Sequence, residues 1–276
     1  MSYRDDIIKH LSDYRVTRLG FLDKGTWTRN GKIYHFDHIL PKDNIKLNIL
    51  QDYRDSFYSS YLSKIRYHQY FHHLNSSQAM CINFFFPLFI EEKLDIVLKA
   101  VGFFNELVDY KTVCFEKISD LEKNGRHTNF DFYLQTKNGK KFYFEIKYTE
   151  REFGKPKKDD KHKRKYRTNY ADKCDNLNLN YCNVDSFLDN YQLMRNLIHV
   201  SNESYVVFLY PIDNIKVCKQ VKFAKTDLIK AEIQQNIINL TWEQLLGYVN
   251  TNIVDSKRLI KQMNDFKDKY KIKPSM

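Results

Sequence analysis

Apolar residues recur at helical spacing, then alternate with polar ones, then return to helical spacing. Ser76-Ser77-Gln78 reads as a helix start before an apolar run ending near Pro87. From Glu91 to Phe104, Leu94, Val97, Leu98 and Val101 keep the spacing of one helix face. The period then falls to two, and Thr112 to Ile118, Thr128 to Gln135 and Lys141 to Tyr148 read as successive strands. A long polar, basic connection follows to about Asn183. Val184 to Val200 carries Phe187, Tyr191, Met194 and Ile198 on one stripe and predicts a second strong helix. Ser204 to Pro211 is an apolar run short enough for a buried strand. Residues 1–75 mix short helical and extended signals, with a helix expected from about Asp52 to His73. The chain after Pro211 reads as mostly helical, with one more strand near Ile237 to Leu240. Helix, three strands, helix, strand is an α/β order with one mixed sheet flanked by helices. No repeat or Gly/Ser/Pro-rich linker marks a boundary. The expectation is therefore one compact body: an N-terminal extension (1–75), a core (76–215) and a mainly helical C-terminal extension (216–276).

The alternating segment Thr128 to Glu150 holds the candidate chemistry. Its two strands surround Lys137-Asn138-Gly139, a hairpin turn. A two-residue loop would set Asp131 opposite Ile146 and mix polar with apolar on both faces. A three-residue loop with Gly139 left-handed pairs Asp131 with Glu145 instead. Phe130, Phe132 and Leu134 then share a face with Phe142, Phe144 and Ile146, and a one-residue slip would scramble it. Asp131, Tyr133, Tyr143, Glu145 and Lys147 emerge on the other face. Opposed residues have Cβ atoms about 5 Å apart, where like charges repel unless something sits between them. A divalent cation suits that place, and Mg²⁺ is held by one or two carboxylates together with phosphate oxygens. Lys147, on the same face, is placed to serve the attacking water and to counter charge on a phosphate. The bland alternative is a surface ion pair worth about 0–1 kcal/mol.

Charge adds a partner. The formal net charge is +11, which suits a polyanion. Lys155, Lys157, Lys158, Lys161, Lys163, Arg164, Lys165 and Arg167 crowd into thirteen residues with only Asp159 and Asp160 against them. Directly after the candidate strand, this stretch reads as a DNA-contacting clamp, against the plainer reading of a solvated loop. Five scattered cysteines without a CxxC pair argue against a zinc ribbon or disulfide scaffold, and free buried thiols are expected. No apolar run is long enough to span a bilayer. The charged start Met1 to Asp6 lacks a secretory core, so a cytoplasmic protein is expected.

Asp131, then Glu145-Ile146-Lys147, resembles the D…(D/E)xK signature of the PD-(D/E)xK nuclease superfamily. The runs HLNSSQAMCINFFFPL, TNFDFYL, FEIKYTE and YQLMRN resemble a bacterial group of type II restriction endonucleases within it, over roughly Tyr34 to Tyr210. The resemblance implies a restriction-endonuclease-like fold and hydrolysis of double-stranded DNA by a water activated at Mg²⁺, with Mn²⁺ able to substitute. It implies Asp131, Glu145 and the Ile146 carbonyl as metal ligands, Lys147 at the nucleophile and Gln192 as a polar accessory residue. It implies a homodimer and admits a cognate methyltransferase as partner. Phe130, not Pro, precedes Asp131, a departure that many members share. A further acid from a helix is not assigned: Glu92, Glu116 and the polar Gln78 are all candidates.

Two other nuclease or metal patterns compete. His35-Phe36-Asp37-His38 resembles the opening of an HNH motif with His38 as base, but no histidine follows Asn48 at the short distance required. His68 and His72 have the i, i+4 spacing of zinc ligands on a helix, among aromatic neighbours that suit an ordinary amphipathic face. The remaining class is a non-catalytic nucleic-acid-binding protein of the same fold.

Overall fold

In a computed structural model describing residues 2–123 and 127–275, the chain opens with helix α1 (Tyr3–Thr17) and a ribbon of strands β1 (Gly25–Arg29) and β2 (Lys32–Phe36). Met1, at the head of the charged N-terminal stretch, lies outside the described residues. Helices α2 (Gln51–Ser59), α3 (Ser77–Ile90) and α4 (Asp95–Ala100) precede strands β3 (Val108–Ile118), β4 (Asn129–Thr136) and β5 (Lys141–Ile146). Then come α5 (Asp160–Asn169), α6 (Val184–Asp189), α7 (Tyr191–Leu197), β6 (Ser204–Tyr210) and α8 (Ile215–Phe223). β7 (Ile237–Thr241), α9 (Trp242–Asn252) and α10 (Lys257–Tyr270) close the order. Two compact units result, one from the chain up to Asn105 together with the chain from Thr241 on, the other from Glu106–Leu240.

The second unit is built on a five-stranded sheet in the order β3-β4-β5-β6-β7. β3, β4 and β5 pair antiparallel, and β6 lies parallel to β5, as the crossover through α5, α6 and α7 requires. This is the mixed α/β architecture of a restriction-endonuclease-like fold. Val206 and Phe208 of β6 pack with Phe187, Leu193, Met194, Leu197, Val217 and Val221 from the helices.

The β4–β5 hairpin has the expected register. Phe132 faces Phe144, Leu134 faces Phe142 and Gln135 faces Lys141. Thr136 N–H donates to the Lys140 carbonyl at 2.8 Å, leaving Lys137-Asn138-Gly139 as the loop. Gly139 takes φ +90°, a conformation closed to most side chains. Phe132, Leu134, Phe142, Phe144 and Ile146 are all buried on the expected face. Phe130 is the exception: its ring packs on Tyr143 and His199, at 4.8 and 4.9 Å between centroids. Two local departures explain this. The Ile146 N–H donates to Asp131 Oδ2 rather than to a strand carbonyl, and the facing strand β3 has Glu116 in a left-handed conformation, φ +56°.

The helices are shorter than the periodicity predicts. α2 stops at Ser59 because Ser60 is extended and its hydroxyl accepts the Leu62 N–H, capping a new turn. Residues 64–76 carry no long helix, so His68 and His72 do not share a helical face, and the His72 ring lies 3.3 Å from the Thr26 carbonyl. α3 runs three residues past Pro87. Proline cannot donate to the Asn83 carbonyl, which accepts from Gln262 Nε2 at 2.9 Å instead. Left-handed Glu92 and Gly102 cut the Glu91 to Phe104 stretch down to α4. Asn190, at φ −119° and ψ 29°, splits Val184 to Val200 into α6 and α7. The basic connection contains a helix, α5, capped by Asp159. All five cysteines are free; Cys81 is buried and the others half-buried.

Phe132 lies between Phe115 and Phe144, with centroids 5.2 and 5.5 Å away, and is fully buried. Phe132→Ala should therefore cost about 3–5 kcal/mol of stability, read as a lower urea midpoint at unchanged slope.

Candidate active site

The ladder of β4 on β5 runs as far as the Phe132–Phe144 pair; just beyond it Asp131 accepts the N–H of Ile146, the residue after Glu145, and feels the Glu145 charge. Glu145 belongs to β5 and is buried. Such a carboxylate needs partners, since an unpaired buried charge is costly. Three side chains supply them. Lys147 Nζ donates to Glu145 Oε1 at 2.5 Å, Gln192 Nε2 donates to the same oxygen at 2.7 Å, and Asn196 Nδ2 donates to Oε2 at 3.1 Å. Gln192 and Asn196 stand one helical turn apart on α7, so one face of that short helix holds both carboxylate oxygens.

Gln192 also joins β5 to the basic segment that comes after it. Its Oε1 accepts the Gly154 N–H at 2.7 Å, and its own N–H donates to the Gly154 carbonyl at 3.3 Å. Lys155, Lys157 and Lys158 follow this anchored glycine in chain without regular secondary structure, and Lys161, Lys163, Arg164, Lys165 and Arg167 lie on α5. α5 buries Tyr166 and Asn169 and leaves most of its basic residues exposed. Lys158 pairs with Asp189 at 2.8 Å, and the Lys165 ammonium lies 5.6 Å from the Tyr170 ring centre.

The electrostatics of the pair are lopsided. Burial pushes the Asp131 carboxyl well above its usual range, and the Glu145 and Glu116 charges push it further, against the pull of Lys147 and the Ile146 N–H. Burial also works against the Lys147 ammonium, but Glu145, Glu150 and Asp131 outweigh it and raise its pKa. Of the three candidates for a further acid, Glu116 is the one coupled to Asp131. Gln78 lies in the other unit, where it accepts the His68 N–H and donates to the Arg66 carbonyl. Glu92 lies there too, at the left-handed break after α3.

Among the described residues no three His, Cys, Asp or Glu side chains form a ready-made metal cage. Mg²⁺ asks for less: one or two carboxylates, waters and phosphate oxygens. Asp131, Glu145 and the Ile146 carbonyl are hard oxygen donors of that kind, and the charge crowding at Asp131 marks a place short of positive charge.

Sequence reasoning missed Asn196, Glu122 and the cation of Arg195. Arg195 Nε and Nη2 donate to Glu122 Oε1 and Oε2 at 3.0 and 3.2 Å. The same carboxylate accepts from Tyr170 Oη and from the Thr128 N–H and hydroxyl. Burial would raise its pKa, but Arg195, Tyr170 and Thr128 prevail and hold it at about 2. Next to α7, His199 lies 2.7 Å from Ser119 Oγ, and burial takes its pKa down to about 4. The i, i+4 spacing of Gln192 and Asn196 was a usable signal; nothing in the sequence pointed to Glu122. His38 lies in the other unit within a row of aromatic rings, and its pKa is also lowered to about 4 by burial.

A mixed five-stranded sheet flanked by helices is the architecture of a restriction-endonuclease-like α/β protein. The chain belongs to the family described as "Restriction Endonuclease associating with ARP", whose model matches residues 8–271. It is thus a member of a restriction-endonuclease family. No curated protein and no solved structure matches it. Among the described residues no helix is long and apolar enough to cross a membrane.

Glu122 provides a stability test. Its folded pKa of about 2 lies below the unfolded value near 4.3, so its contribution is present above about pH 4.3 and is lost as pH falls towards 2. Glu122→Gln should flatten that acid limb of a melting-temperature profile. It should also cost about 3–5 kcal/mol at pH 7, because Arg195 loses its buried partner.

Proposed function

We propose that this protein is a Mg²⁺-dependent PD-(D/E)xK endonuclease that hydrolyses phosphodiester bonds of double-stranded DNA. The observation that supports the proposal is the Lys147–Glu145 hydrogen bond beside Asp131, which accepts the Ile146 N–H and feels the Glu145 charge, in a chain of a restriction-endonuclease family. Asp131, Glu145 and the Ile146 carbonyl would hold the cation, and Mn²⁺ would substitute for it. When bound, the ion would neutralise charge on the scissile phosphate and favour ionisation of a water.

The chain's own groups divide the remaining work. Lys147, held by Glu145, directs its ammonium at the attacking water and at charge developing on the phosphate. Gln192 and Asn196 fix both oxygens of Glu145, so the carboxylate does not swing onto the lysine alone. The eight basic residues from Lys155 to Arg167 neutralise backbone phosphates and make affinity fall with salt. The same reading makes the enzyme a cytoplasmic defence nuclease that acts as a homodimer, one site for each strand, alongside a cognate methyltransferase.

Cleavage of a panel of methylated and unmethylated plasmid and phage DNAs, with Mg²⁺ and with EDTA, tests this. Discrete fragments that need Mg²⁺ are expected, and Lys147→Ala should lower the rate by about 10²–10⁴-fold. Cutting that needs Mg²⁺ yet survives Lys147→Ala would overturn the assignment and direct attention to His38. Asn196→Ala should lower cleavage less than Lys147→Ala, since Gln192 still holds one oxygen of Glu145.

A further inference from the structure

The β1–β2 ribbon has no place in the nuclease chemistry, yet its surface is unusual. Asn30 and Gly31, both at positive φ, turn the chain in two residues, so Trp27 faces Tyr34, Arg29 faces Lys32 and Gly25 faces Phe36. Directly opposed residues share a face, so one face carries Trp27, Tyr34 and Phe36 with Arg29 and Lys32 at the tip. The three rings lie 5.8 to 6.4 Å apart, and the Arg29 guanidinium sits 5.7 Å from the Trp27 ring centre. Tyr34 and Phe36 are 41 % and 37 % exposed although they belong to a strand. Gly25 adds no bulk to this face: a Cβ there would meet the Leu40 carbonyl oxygen at 2.3 Å. The row continues at its base through His38 to His73, at 5.7 and 6.1 Å.

Such a face is costly to leave in water and marks a binding surface. Its charge selects the partner. From Gly25 to Phe36 there is no carboxylate, while Arg29 and Lys32 stand beside the rings. Aromatic rings and an arginine also suit a protein interface, although the lysine does not; unpaired nucleotides offer a flat base to each ring and a phosphate to each cation, so they match all five side chains. In duplex DNA the base faces are already stacked on their neighbours. We infer that this ribbon is a stacking platform for unpaired bases of DNA, with Trp27, Tyr34 and Phe36 taking the bases and Arg29 and Lys32 the phosphates. The choice of DNA over RNA rests on the nuclease reading above.

The chain has two tryptophans. Trp242 is fully buried and provides a constant signal, while half-buried Trp27 reports on the platform. The full chain in EDTA is titrated with a twenty-nucleotide oligothymidine and with a duplex of equal length, following tryptophan emission and, separately, binding by anisotropy. The expected result is quenching by the single strand only, absent in Trp27→Phe, which still binds it. Tyr34→Ser with Phe36→Ser should weaken single-strand binding by about tenfold or more and change duplex binding by less than about twofold. The melting temperature of each variant shows that it is folded; if the double substitution unfolds the ribbon, Arg29→Gln with Lys32→Gln replaces it and should weaken binding with a reduced salt slope. Quenching that is equal with both DNAs, or single-strand affinity unchanged in folded variants, would overturn the platform and leave the ribbon to a protein partner. The readouts need no cleavage, so a chain that cuts no DNA yet shows the quenching would refute the nuclease and keep the platform.

Discussion

Two carboxylates on paired strands repel, and the organisation around Glu145 depends on how that repulsion is contained. Glu145 is buried and takes three donors, Lys147, Gln192 and Asn196. Asp131 takes the Ile146 N–H instead, which ends the regular pairing of β4 with β5 just where the two acids meet. Lys147 brings one positive charge to a cluster that also includes Glu116 and Glu150. Burial first, and then the charges of Glu145 and Glu116, raise the pKa of Asp131 against the pull of that one ammonium. A buried excess of carboxylate is a poor way to stabilise a fold and a good way to attract a hard cation.

That arrangement depends on the position of α7, a helix of seven residues with little stability of its own. Arg195, on the same helix as Gln192 and Asn196, anchors it to Glu122, whose carboxylate is saturated by Arg195, Tyr170 and Thr128. Thr128 immediately precedes β4, so one ion pair ties the helix that holds Glu145 to the strand that carries Asp131. Gln192 extends the linkage through Gly154 to the basic segment. One hydrogen-bond network thus relates both acids, the lysine and the glycine from which the basic segment leaves.

The hairpin was legible because its information is local. Apolar alternation, one glycine in a three-residue loop and the rule that opposed residues share a face were enough to give the register that pairs Phe132 with Phe144. Helix limits were less legible. Periodicity marks which positions face a core, not where the backbone breaks, and Glu92 and Asn190 interrupt helices at residues whose types do not announce it. The face of Phe130 was misread because the β4–β5 ladder stops at Phe132, where a side chain, Asp131, takes the Ile146 N–H. The ribbon of β1 and β2 passed unnoticed as a feature, although Asn30-Gly31 between polar and aromatic residues is a hairpin signal.

By itself, the sequence determined the α/β order, the register of β4 on β5, the acidic pair with its lysine and the basic stretch after them. Each of these depends on residues close along the chain, where period and turn geometry restrict the options. Only the tertiary structure decided which distant groups complete the site. Glu122 and Arg195 are 73 residues apart, Asn196 and Glu145 are 51 apart, and their meeting depends on the parallel crossover that lays α7 against the sheet. Glu116 was separated from Glu92 and Gln78 in the same way. Sequence spacing carries no record of such pairings, because the chain between the partners contributes only its path through the fold.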